Sequence, residues 1–214
     1  VPDSAFEHDL KYPQAVEILR NLSDLARRKG VTFGVKLTNT LAMENWKGRM
    51  PGGEMYMSGR PLFPLAVNLF NKIRSDFPDL PVSFSAGADQ ENVARLFACG
   101  VKTVTIASEL LKPGGYGRLL SCVNSLERAM RERGCSSPEE FAKDGAMALK
   151  DLAADSLTNP RYRYVPVTPP KSPTPLGMFD CVEAPCSAAC PVNQEVPLYA
   201  RRIAKGDFDG ALEA

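Results

Sequence analysis

Pro81-Val-Ser-Phe-Ser-Ala86, the helical run Gln90–Cys99 closed by Gly100, and Val101-Lys-Thr-Val-Thr-Ile-Ala107 follow one another directly. Two short runs rich in apolar and β-branched residues, separated by a helix with glycine at its C-cap, describe strand–helix–strand, the crossover that parallel strands require. The same grammar extends upstream. Pro61 to Asp76 places Leu62, Leu65, Leu69 and Ile73 at helical spacing. Pro13 to Lys29 does so with Ala15, Ile18, Leu22, Leu25 and Ala26, then Gly30 and a strand over Val31–Thr38. Downstream, Pro113-Gly-Gly leads to a helix near Tyr116–Arg133, and Ser137-Pro138 opens another running to about Ala154, serine capping and proline entering its first turn. Glu54–Ser58 is a weaker strand candidate. Alternation of this kind predicts an α/β protein with a parallel sheet. A closed (β/α)8 barrel typically needs ~250 residues, so about four units in roughly 150 residues predict half a barrel, with two sheet edges and an apolar interior uncovered.

Composition narrows the function. Of 214 residues, 44% are hydrophobic and 24% charged, as in an ordinary globular protein. Lysine and arginine number 26 against 25 acids, so no basic field gathers nucleic acid. No apolar run approaches the ~20 residues of a membrane helix. Val1-Pro2-Asp3-Ser4 carries neither a signal core nor an initiator methionine, which reads as a soluble, cytoplasmic piece of something longer.

Six of the 18 prolines lie between Pro160 and Pro175. Proline removes a donor and fixes φ, so this stretch is an extended linker, dividing the chain into 1–158, a linker at 159–177, and 178–214. In the last part Cys181, Cys186 and Cys190 crowd together, with Pro191 directly after. Such runs supply thiolates to iron–sulfur clusters. Zinc and uncommitted thiols are the other readings, zinc being disfavoured because His8 is the sole histidine. Cys99 and Cys122 fall in apolar helical patterns and read as core residues, His8 as a surface residue, and Gly114-Gly115 as a plain turn.

Residues 178–214, with Glu195-Val-Pro197-Leu-Tyr199 and Arg202-Ile-Ala-Lys-Gly206-Asp-Phe-Asp-Gly210-Ala-Leu212, resemble the start of the helical two-cluster domain of glutamate synthase small subunits and dihydropyrimidine dehydrogenases. That family's run is Cys-x2-Cys-x4-Cys-x3-Cys-Pro. Cys181, Cys186 and Cys190 match its last three cysteines, and Met178 stands at the first. The resemblance implies 4Fe–4S clusters whose remaining ligands lie beyond Ala214, with Cys190 serving the second cluster.

Val31 to Leu120 resembles the C-terminal half of the flavin barrel of dihydroorotate and dihydropyrimidine dehydrogenases. Gly34-Val-Lys36-Leu-Thr38 is similar to the strand whose lysine approaches the flavin, and Met57-Ser58-Gly59-Arg60 to the Ser-Gly loop. Pro81–Gly87 and Ile106-Ala107-Ser108 stand at the phosphate loops, with Phe84 and Ala86 in place of two glycines. The resemblance therefore implies FMN held by Lys36, Ser58, Gly59, Gly87, Ala107 and Ser108. From residues alone, Lys36 is equally a strand lysine whose ammonium reaches solvent. Joined, the two halves resemble large iron–sulfur flavoproteins of the selenate reductase subunit kind. In these, electrons pass from NAD(P)H through a downstream FAD and the clusters to the barrel. Expected partners are the rest of the polypeptide or a self-associating copy, and a redox partner subunit. The rival expectation is a flavin-free barrel that serves as a docking scaffold.

Overall fold

The computed structural model describes residues 3–45, 48, 51–112, 114–162, 191 and 196–213. Contacts divide the chain into two units, residues 1–43 with 56–164 and residues 44–55 with 165–214. The elements run α1 (Tyr12–Lys29), β1 (Val35–Leu37), β2 (Leu41–Glu44), β3 (Glu54–Met57), α2 (Phe63–Asp76), β4 (Val82–Phe84), α3 (Val93–Ala98), β5 (Thr103–Val104), α4 (Gly117–Glu132), α5 (Pro138–Phe141) and α6 (Gly145–Thr158).

Three strands form a parallel sheet in the order β1-β4-β5, with Lys36 opposite Ser83 and Ser83 opposite Thr103. Among the described residues the expected fourth strand is not part of this sheet. Glu54–Met57 is a strand, but it pairs with β2, a segment whose Leu-Ala-Met-Glu sequence gave no strand signal. β1 and β5 are each paired on one side only among the described residues.

The core lies on one face of the sheet. Val82 and Phe84 of β4 are 1% and 0% exposed, packed with Phe63, Val67 and Phe70 of α2, Leu96 of α3, and Leu149 and Leu152 of α6. The rings of Phe63 and Phe84 meet edge to face, centroids 5.5 Å apart. The buried stripe of α2 is thus Phe63, Ala66, Val67, Phe70 and Ile73; of the stripe expected from sequence, Leu62 and Ile73 are buried and Leu69 packs against the core, whereas Leu65 is exposed. Aromatic rings bury more apolar area than leucines, so they take the inward face when both cannot. On α1, Leu19 and Ala26 are buried, whereas Ile18, Leu22 and Leu25 of the expected stripe are exposed.

The opposite face corrects a further expectation. It is polar: Lys36 and Thr103 are exposed, Ser83 is half-buried between them, and the Thr103 hydroxyl donates to Ser83 Oγ at 2.7 Å. The helix expected over Ser137–Ala154 is two helices. Ser137 caps α5 by accepting from the Glu140 amide, with Pro138 in the first turn, but the chain breaks before Gly145. A Cβ on Gly145 would meet the Cys99 carbonyl at 3.2 Å, so glycine permits α6 to start hard against the end of α3.

In the second unit, helices Val196–Ala204 and Phe208–Leu212 are joined through Gly206 at φ 77°. Asp207 accepts from the Gly210 amide at 3.0 Å, and Arg202 donates to the Gly210 carbonyl at 2.6 Å. A Cβ on Gly210 would collide with both side chains, which accounts for the Gly-x-x-x-Gly spacing. Met178, Cys181, Cys186, Cys190 and most of the Pro-rich stretch lie outside the described residues. No helix among the described residues is long and apolar enough to cross a membrane.

Candidate functional site

Successive residues beyond the strand ends carry the polar sheet face into a cavity of about 480 Å³. Thr38 follows β1, Ser85 follows β4, and Thr105 follows β5, so one register step turns the Lys36–Ser83–Thr103 layer into a wall of hydroxyls. The cavity therefore sits at the C-terminal end of the parallel strands, where αβ barrels and open sheets bind ligands. Ser58, Gly59, Arg60, Gly87, Asp89, Ala107, Ser108, Glu109 and Lys112 complete the wall.

Five of the six residues that the sequence singled out, Ser58, Gly59, Gly87, Ala107 and Ser108, come together here. Lys36 does not line the cavity. It lies one layer below, on the same sheet face. The glycines do a different job from the one that ligand approach alone would require. A Cβ on Gly87, at φ 70°, would lie 2.4 Å from the Gly59 carbonyl oxygen, and one on Gly59 would lie 3.1 Å from Ser108 Cβ. The three loops thus close on one another through glycine contacts. Phe84 and Ala86, which replace glycines in the resemblance, point into the helix layer and leave the cavity uncrowded.

Charge at the mouth is layered. Glu109 is buried and accepts from Arg118 Nε at 2.8 Å, from Arg118 Nη2 and from Lys112 Nζ. Burial alone would raise its carboxyl pKa. The hydrogen bonds and charges of Lys112 and Arg118 outweigh that and hold it below the ordinary carboxylate value. Asp89 pairs with Arg161. Arg60 has no ion pair among the described residues; of the charged residues that line the cavity, Arg60 and Lys112 stand against Asp89 and Glu109, while Arg118 and Arg161 pair with those two carboxylates from outside the lining. Sequence reasoning missed Arg60, Glu109 and Arg161. Arg60 stood within the quoted Ser-Gly loop, whereas Glu109 and Arg161 reach the site only through tertiary pairing.

A family model for the N-terminal TIM-barrel domain of the oxidoreductase YgfK matches residues 1–164. The chain belongs to the YgfK oxidoreductase family. YgfK of Escherichia coli K12 and that of strain O157:H7 are each 40% identical to it over 216 residues, covering 99% of this chain and 20% of theirs. The chain thus spans about a fifth of the length of the curated YgfK relatives it matches. No solved structure matches. The three parallel strands with helices packed on one face are consistent with that TIM-barrel description, and the cavity just described lies at their C-terminal ends. Among the described residues no group of histidine, cysteine or acidic side chains is arranged to hold a metal ion.

Proposed function

We propose that this chain is part of a multidomain, NAD(P)H-linked iron–sulfur flavoprotein oxidoreductase of the cytoplasm, and that its strand-end cavity takes the phosphate end of FMN. The observation that supports this best is the meeting of the Ser58-Gly59, Gly87 and Ala107-Ser108 loops around one hydroxyl-lined cavity that also carries Arg60 and Lys112. The residues fit the group. Arg60 supplies a cation with no ion pair among the described residues, Lys112 lines the cavity beside Glu109, and the Ser58, Ser85, Thr105 and Ser108 hydroxyls can donate to phosphate oxygens. Lys36, on the sheet face below, is placed to neutralise negative charge near the strands.

Bound FMN would exchange electrons singly or in pairs, which suits a carrier set between a nicotinamide and 4Fe–4S clusters. Cys181, Cys186 and Cys190 would ligate those clusters, Cys190 serving the second, with downstream sequence supplying FAD and the missing thiolates. The rest of the polypeptide or a second copy would cover the sheet edges, and a redox partner subunit would exchange electrons with the assembly.

One observation favours the flavin-free scaffold. Glu109 already occupies two of the mouth's cations, as a bound anion would. Acid extraction of the full-length protein decides between them. FMN released together with FAD, with iron and acid-labile sulfide present, is the expected result. FAD and iron without FMN would favour the scaffold.

A further inference from the structure

We infer that Arg161 and Tyr162 are positioning residues that clamp the loop after β4 and so hold the mouth in the shape its ligand requires. The inference rests on the reading that the mouth takes a phosphate-bearing ligand.

The loop concerned, Gly87–Asn92, lies between Gly87 at φ 70° and the start of α3 at Val93, and is closed by a turn in which the Asn92 amide donates to the Asp89 carbonyl at 3.2 Å. Its two buried polar side chains also take partners from outside the loop. Asp89, 3% exposed, pairs with the Arg161 guanidinium, and its other oxygen accepts from the Glu91 amide at 2.9 Å. Asn92, 2% exposed, accepts from the Asp89 amide at 2.9 Å and donates to the Gly87 carbonyl at 3.1 Å and to the Tyr162 hydroxyl at 3.3 Å. A buried carboxylate needs its cation, and an amide with a fixed set of partners fixes the loop that carries it.

Tyr162 does a second thing. Its ring stacks on Phe63 with centroids 4.7 Å apart and planes 6° from parallel. Phe63 opens α2, directly after the Gly59–Leu62 turn, so one side chain joins the two loops whose glycines touch in the cavity wall. The clamp is carried by the short 3-10 turn Pro160–Tyr162, in which the Arg161 amide donates to Asn159 Oδ1 at 3.1 Å. These residues read in the sequence as the opening of the linker. In the structure they pack against the loop after β4 and against Phe63.

The test uses the full-length protein with Arg161→Gln, Arg161→Lys and Tyr162→Phe, reading amide hydrogen exchange by segment and the affinities for FMN and for inorganic phosphate. Arg161→Gln should exchange at 86–92 on the order of a hundredfold faster, the effect of unpairing a buried charge, while α2 and α6 keep wild-type protection. Ligand affinity should fall roughly ten- to a hundredfold, as when the supports of a ligand site are removed. Arg161→Lys should recover most of both losses, and Tyr162→Phe should show a smaller loss at the same segment. If Arg161→Gln does not fold, the other two variants decide: wild-type exchange at 86–92 in Tyr162→Phe, with full affinity, overturns the clamp. So does loss of protection spread evenly over α2, α3 and α6, or failure of lysine to restore any affinity. The two possible failures are distinct. A wild-type protein that binds neither FMN nor phosphate overturns the mouth reading, whereas a binding wild type whose variants bind and exchange identically overturns the clamp alone.

Discussion

The two faces of the three-stranded sheet are built on opposite principles. On one, Val82 and Phe84 are sealed beneath α2 and α6; on the other, Lys36, Ser83 and Thr103 lie away from the described helices and satisfy one another or solvent. Both come from a single alternation in Val82-Ser83-Phe84, since neighbouring residues of a strand point to opposite faces. The apolar face supplies the stability. The polar face continues directly into the hydroxyl-lined mouth. A face free of apolar side chains loses little when left uncovered, and the uncovered apolar surface is elsewhere. Ile18, Leu22 and Leu25 on α1, and Leu119, Leu120 and Val123 on α4, remain exposed, as do the outer edges of β1 and β5 among the described residues.

The contrast can be broken most severely at the ring under α2. Phe84→Ala should cost about 3–5 kcal/mol, and Ser83→Ala across the same strand about 1 kcal/mol or less, as measured by chemical unfolding. Equal losses would mean that the two faces are not different in kind. Next in size is Gly87→Ala, which forces a Cβ onto Gly59 at positive φ and should cost about 1–3 kcal/mol while weakening anion binding at the mouth. An unaffected melting temperature and affinity would remove the loop contact from the account.

Glu109 sharpens the comparison through pH. Its carboxyl is held below the ordinary value in the folded state, so its contribution is present above the unfolded carboxyl's pKa and is lost as pH falls through the folded one. Wild-type melting temperature should therefore drop more steeply on acidification than that of Glu109→Gln. Parallel pH profiles would contradict the pairing with Lys112 and Arg118. The smallest effect concerns thiols: burial pushes the Cys99 thiol up to about 12, so mass-spectrometric mapping of alkylation at neutral pH should find Cys135 modified well before Cys99. Equal rates would place Cys99 outside the core.

Much of the fold was legible because its signals are local. The end of α1 at Gly30, the end of α2 at Asp76 and the cap at Ser137 each depend on residues adjacent in the chain. The inward stripe of α2 was legible in part, at Leu62 and Ile73, but not at Phe63 and Phe70, because leucines and phenylalanines share the helix and only tertiary packing chooses between them. The polar sheet face was visible as alternation in Val82-Ser-Phe84, yet the barrel analogy led to an apolar interior instead. At the site, residues on short loops after strands could be found from the resemblance. Arg161 could not, since 72 residues separate it from Asp89 and nothing in Asn159-Pro-Arg-Tyr162 marks a return to the strand ends.

A cryo-electron microscopy map of the full-length protein, purified with its cofactors, tests the central claim most directly. The account predicts FMN density with its phosphate in the strand-end cavity against Arg60, Gly87 and Ser108, on the polar side of the sheet. An empty cavity in a protein shown to contain FMN, or FMN seated elsewhere, would contradict it.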